Sequence, residues 1–127
     1  MMIEHVALYT LDLERLRAFY ETYFDGTAGK PYHNTETGLQ TYFISFAGGA
    51  RLELMTRPEL EAGERSRLWS GWTHLAFKAG TRENVDALTE RIRADGYEVV
   101  SGPRITGDGY YESCVLDPDG NTVEIVA

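Results

Sequence analysis

The sequence of 127 residues holds a single cysteine, Cys114, so no internal disulfide can staple it. That usage suits a reducing, cytoplasmic setting. The neighbours of Cys114 read as a strand, which points to a buried structural thiol ahead of a reactive nucleophile. Positive charge is scarce: 12 Lys and Arg stand against 20 Asp and Glu, a formal net charge of -8. Sequence-independent nucleic-acid binding needs a Lys/Arg surface to meet phosphate, so the charge balance argues against that class. No apolar run approaches a membrane span. The opening MMIEHVALYT has no basic n-region and no cleavage-site pattern, and no signal peptide is expected. Gly-rich phosphate loops, Ser/His/Asp nucleophile sets and low-complexity tracts are missing too. What is present is the balance of a globular domain with a proper core: 43% hydrophobic and 25% charged residues, with eight Tyr and five Phe.

The pattern that organises the chain is a repeat at about half its length. His5-Val6-Ala7-Leu8 is matched by His74-Leu75-Ala76-Phe77. A helical stripe follows each: Leu13, Leu16, Phe19, Tyr20, Tyr23 and Phe24 in the first, Val85, Leu88 and Ile92 in the second. Asp12 and Thr81 are the expected N-caps, Gly26 and Gly96 the expected stops. Strands are then predicted over 41–46 and 51–55, separated by a Gly48-Gly49 turn. In the second half they fall at 97–100, 111–116 and 121–126, with the turn signal Asp117-Pro118-Asp119-Gly120 before the last. The fold class is therefore α+β: two β-α-β-β-β modules in tandem, about 1–56 and about 72–127, treated as one domain. The charged segment 57–71 joins them as an exposed loop with room for a short helical turn.

Side chains alternate between the faces of a strand. His5 opposes Val6 and Leu8, and His74 opposes Leu75 and Phe77. Glu53 lies between Leu52 and Leu54, and Glu124 between Val123 and Ile125. All four fall on the face away from the helices, and both residue types recur at matching repeat positions. Two imidazoles and two carboxylates form a donor set for a divalent metal ion: Ni, Zn, Co, Mn or Fe, with Ni or Zn favoured. A lone His or Glu on a polar strand face is usually just solvated; the recurrence sets these four apart. His33, in a loop-like stretch, reads as a surface residue. Tyr110 and Tyr111 could line a pocket or pack in the core; Trp69 and Trp72 could line a cleft, form an interface or simply pack.

On His5 in IEHVAL, Glu53 in RLELM, His74 in WTHLAF and Glu124 in NTVEIV, with DPDG before the last strand, the chain resembles the vicinal oxygen chelate superfamily. Within it, the resemblance is to glyoxalase I and its relatives. It implies paired modules whose sheets curl around a metal. It also implies a homodimer with sites across the subunit boundary and a small-molecule substrate, while the charge balance and the lack of a long apolar run point to no nucleic-acid or membrane partner. Members that act as extradiol dioxygenases or fosfomycin-modifying transferases share the two His and the final Glu but typically lack a carboxylate ligand at the position of Glu53. That residue therefore turns the implied activity toward a lyase or isomerase that moves a proton beside a carbonyl through a metal-stabilised enediolate. Glu124 and Glu53 are the catalytic candidates, unranked. The alternatives are a non-catalytic drug-binding module and an Fe(II) dioxygenase. Glutathione-using members hold the tripeptide's carboxylates with basic residues, yet Tyr9 follows His5 here, and Arg51, Arg57, Arg67, Lys78 and Arg104 match no such motif.

Overall fold

Each helix begins where its capping side chain can take an orphan amide. The Asp12 carboxylate accepts from the Arg15 amide at 3.0 Å and opens α1 (Leu13–Phe24). Thr81 Oγ1 accepts from the Asn84 amide at 3.2 Å and opens α2 (Arg82–Ala94). The six expected apolar residues of α1 are all buried. In α2 the buried stripe is Val85, Thr89 and Ile92, with Leu88 only half-buried. The end of α1 differs from expectation. Asp25, not Gly26, takes the left-handed conformation (φ 53°). Gly26 is required for space, since a Cβ there would stand 2.6 Å from Ile44 Cγ2. Gly96 does close α2 with φ 92°.

The computed structural model describes residues 1–63 and 70–127. They belong to two compact units, Met1–Glu64 and Arg65–Ala127. The first contains β1 (His5–Tyr9), α1, β2 (Thr27–Ala28), β3 (Tyr32–His33), β4 (Gln40–Ser45) and β5 (Arg51–Thr56). Its sheet runs β1-β5-β4-β2, with β3 also paired to β4. The second contains β6 (His74–Lys78), α2, β7 (Val99–Ile105), β8 (Tyr111–Leu116) and β9 (Thr122–Val126), in the order β6-β9-β8-β7. In each, the first strand lies parallel to the last and the remaining pairs are antiparallel. The α+β fold of two β-α-β-β-β modules is as expected.

The strand that follows the helix, the second of the motif, is where the units part. In the first it is split into β2 and β3 around Gly29-Lys30-Pro31, and Pro31 has no amide to donate to a ladder. His33 therefore sits in a short strand opposite Gln40, not in a loop, though exposed as expected. In the second unit β7 is continuous but shifts register around a cis Gly102-Pro103 bond. Gly102 has φ 78°, and a Cβ would meet Glu112 O at 2.5 Å, so only glycine fits. Of the loop expected over 57–71, residues 57–63 are loop with one tight turn, Leu60 N–H donating to Arg57 O at 3.1 Å. Trp69 lies outside the described residues, and Trp72 is exposed. Among the described residues no helix is long and apolar enough to cross a membrane.

Both sheets are fastened to their helices by a strand tyrosine. The Tyr42 hydroxyl donates to Glu14 at 2.8 Å while the Arg17 guanidinium lies 5.5 Å from the ring centre. Likewise the Tyr111 hydroxyl donates to Asp86 at 2.6 Å, with Arg82 5.0 Å from its ring. Tyr110 beside it is exposed. The Tyr42 bond, followed by that of Arg17, holds the Glu14 carboxyl below its ordinary pKa, because both favour the charged form. The core of the first unit is aromatic, with Phe19 touching Tyr20, Tyr23 and Phe24 at 5.1 to 5.8 Å between ring centres. The second buries a polar pair instead. Thr89 Oγ1 donates to Val85 O at 2.6 Å, leaving the Ser113 hydroxyl to donate to Thr89 at 2.6 Å.

Two outcomes follow from these contacts. Thr89→Val strips the acceptor from a fully buried Ser113 and should cost about 1–3 kcal/mol in chemical denaturation. Ser113→Ala should cost less, and the double variant less than the sum of the two. Tyr42→Phe should move the Glu14 carboxyl up toward its ordinary range in an NMR pH titration. A lowered pKa stabilises the fold above the ordinary carboxylate range and loses that contribution as pH falls through the folded value, so Tyr42→Phe should flatten that part of the acid-unfolding profile.

Candidate metal centre

The parallel pairing of β1 with β5 sets His5 opposite Arg51 and Ala7 opposite Glu53. The pairing of β6 with β9 sets His74 opposite Thr122 and Ala76 opposite Glu124. The register is the same in both units. Each His thus lies one pleat period from the level of its Glu, on the same face. Leu52, Leu54, Val123 and Ile125 fill the opposite face and are buried. The result is two like pairs: His5 Nε2 stands 3.7 Å from Glu53 Oε2, and His74 Nε2 stands 3.2 Å from Glu124 Oε2. The carboxylate side chains are 19% and 20% exposed and the imidazoles 41% and 38%. The acids are partly desolvated and the imidazoles remain open to a ligand.

These pairs fit a metal ion by donor chemistry and by spacing. Two ligand atoms each about 2.0–2.2 Å from one ion, at tetrahedral or octahedral angles, stand roughly 3.0–3.5 Å apart. The 3.2 Å separation in the second unit falls inside that range, and the 3.7 Å separation in the first lies just above it and is too long for a hydrogen bond. Imidazole nitrogen with carboxylate oxygen suits Ni, Zn, Co, Mn or Fe. Among the described residues no group of three or more His, Cys, Asp or Glu gathers to hold an ion. Each unit presents a pair of donors.

The surroundings of the two pairs differ. Burial raises the pKa of Glu124; Glu112 and Asp108 add to the shift, while His74 and Arg104 oppose it. Around His5, the Phe43 ring packs edge-on at 5.4 Å and Arg51 stacks on Phe43 at 4.2 Å. The Glu4 carboxylate accepts from both His5 Nδ1 and Arg51. Arg51 is thus engaged, and Arg57 is held by Glu59 at 3.0 Å and by the Tyr9 hydroxyl. Lys78 and Arg104 are exposed, and Arg67 lies outside the described residues.

Cys114 corrects an expectation. It is half-exposed, not buried, because Ser113 and Val115 take the core positions on either side of it. It lies opposite Glu124 in the β8–β9 ladder, as Phe43 lies opposite Glu53 in the first unit. The alternation that located Glu124 carried the same information for Cys114. Glu4 had no such signal, since it precedes the strand.

Comparison with known proteins places this geometry. The chain is 34% identical over 128 residues to the uncharacterized protein YqjT of Bacillus subtilis (strain 168), spanning 98% of each. Its fold is similar to lactoylglutathione lyase from Agrobacterium tumefaciens, with a TM-score of 0.68, 25% identity, and 98% of this chain and 91% of that one covered. It is also similar to a mutant of the fosfomycin resistance protein FosX from Listeria monocytogenes complexed with Mn(II) and a dihydroxypropylphosphonic acid. There the TM-score is 0.77 and the identity 25%, over 98% and 90% of the two chains. Residues 2–125, a span that includes both His/Glu pairs, match the Glyoxalase/Bleomycin resistance protein/Dioxygenase superfamily, and the chain belongs to that family, with its vicinal oxygen chelate fold.

Proposed function

We propose that this protein is a metal-dependent, glyoxalase I-like lyase or isomerase that moves a proton between carbons beside a carbonyl group. The observation that carries the reading is the recurrence of one His/Glu pair, in the same strand register, in both units. His5, Glu53, His74 and Glu124 are the residues that would hold the ion. When bound, the metal supplies Lewis acidity that polarises the substrate's carbonyl and acidifies the neighbouring C–H bond.

The chain's own part is proton handling. A carboxylate oxygen of Glu124 or Glu53 takes the carbon-bound proton, the C–H electron pair stays on the substrate, and a carboxylate returns the proton to the neighbouring carbon. No electron leaves the substrate, so the reaction needs no oxidant. Partial burial gives Glu124 the higher proton affinity a general base requires. Glu53 favours this chemistry over ring-opening oxygenation, which makes no demand on a second carboxylate. The similarity to a lactoylglutathione lyase supports the reaction class. Arg51 and Arg57 are already engaged and Tyr9 stands on the His5 face, so among the described residues Lys78 and Arg104 are the exposed candidates to meet the carboxylates of lactoylglutathione.

Metal-free protein titrated with Ni(II), Zn(II), Co(II) or Mn(II) in a calorimeter should bind at least one of them stoichiometrically. His74→Ala and His5→Ala should each weaken that binding by more than about tenfold. Failure of all four metals to bind would sink the reading. With a thiol adduct of an α-ketoaldehyde as substrate, Glu53→Gln should abolish turnover while circular dichroism stays unchanged. Unaltered turnover would remove Glu53 from the mechanism, and Fe(II)-dependent oxygen uptake with a catechol, indifferent to Glu53→Gln, would favour a dioxygenase instead.

A further inference from the structure

The two His/Glu pairs share a register but not a setting. Glu4 immediately precedes β1, and its backbone carbonyl accepts from the Arg51 amide at 3.0 Å, so it is tied to the start of β5. Its carboxylate then reaches both the Arg51 guanidinium and His5 Nδ1. An ionised carboxylate only accepts, so His5 Nδ1 is the nitrogen that carries hydrogen. Nε2, the nitrogen that faces Glu53, is left with its lone pair. The Phe43 ring, set perpendicular to the imidazole, bounds it on another side, and Arg51 covers the face of Phe43. One arginine therefore braces both neighbours of the ring.

Among its described residues the second unit shows no such device. The residue before His74 is Thr73, and the residue opposite His74 in the ladder is Thr122. Position 114, the counterpart of Phe43, is a cysteine. Everything that braces His5 is absent around His74 at the matching positions.

We infer that Glu4, anchored by Arg51, is a positioning residue that fixes His5 as its Nδ1–H tautomer with Nε2 presented as a metal donor, a role that rests on the metal site proposed above. A carboxylate on the far nitrogen of a ligating imidazole sets its orientation and raises its basicity. His5 is then a pre-set donor.

The test begins without metal. In nitrogen NMR spectra of labelled, metal-free protein, His5 should show the Nδ1–H tautomer. Glu4→Ala should shift it toward a mixture while leaving His74 unchanged, and Glu4→Gln, whose amide oxygen still accepts, should retain it. Competition with a chelator for Zn(II) or Co(II) should then show Glu4→Ala weakened about 10–100-fold and Glu4→Gln by less. A His5 tautomer unaltered in Glu4→Ala would overturn the inference. So would a shifted tautomer with undiminished metal affinity. If the unaltered protein takes up none of these metals, the functional reading falls and the metal role of Glu4 falls with it. The tautomer comparison would still show whether Glu4 locks the ring.

Discussion

The register between the first and last strands of each unit is the constraint on which the rest of the molecule depends. Slipping β5 by one residue against its neighbours would turn Leu52 and Leu54 outward and drive Glu53 into the core. Each such leucine contributes roughly 1.5–3 kcal/mol by its burial, and an unpaired buried carboxylate costs more than it could regain. The same holds for Val123, Glu124 and Ile125 in β9. The donors are thus placed by the apolar residues between which they stand. Hydrophobic burial on one face sets the chemistry on the other.

Within that shared frame the units differ in how they are held. The first relies on a cluster of aromatic rings and a Tyr42–Glu14–Arg17 contact between sheet and helix. The second replaces the aromatic mass with a buried Thr89–Ser113 hydrogen bond and repeats the tyrosine contact one pleat away, through Tyr111, Asp86 and Arg82. Proline interrupts the strand after the helix in both, with β2 split from β3 before Tyr32 at Pro31 and the register of β7 shifting between Ser101 and Arg104, around Pro103. The repeat conserves a backbone plan while the side-chain solutions diverge.

That divergence reaches the donor pairs. Glu4, Arg51 and Phe43 surround His5, while Thr73, Thr122 and Cys114 occupy the equivalent places near His74. Two pairs alike in position are thus unlike in polarity, in bracing and in the burial that raises the proton affinity of Glu124.

Much of this was legible without coordinates, for a local reason. Strand alternation and helix periodicity are backbone properties, so the face of His5, Glu53, His74 and Glu124 and the caps Asp12 and Thr81 follow from residue order alone. The same rule would have turned Cys114 outward. Where the reading went astray, a contact distant in sequence decided. Ile44 fixes the need for Gly26, Ser113 draws Thr89 into the core in preference to Leu88, and Thr41 and Gln40 make a strand of Tyr32 and His33. Sequence by itself determined which residues could serve as donors, because alternation and repetition are written in it. Only the tertiary structure decided what stands beside each donor, because neighbours across a sheet are chosen by the packing of the whole unit.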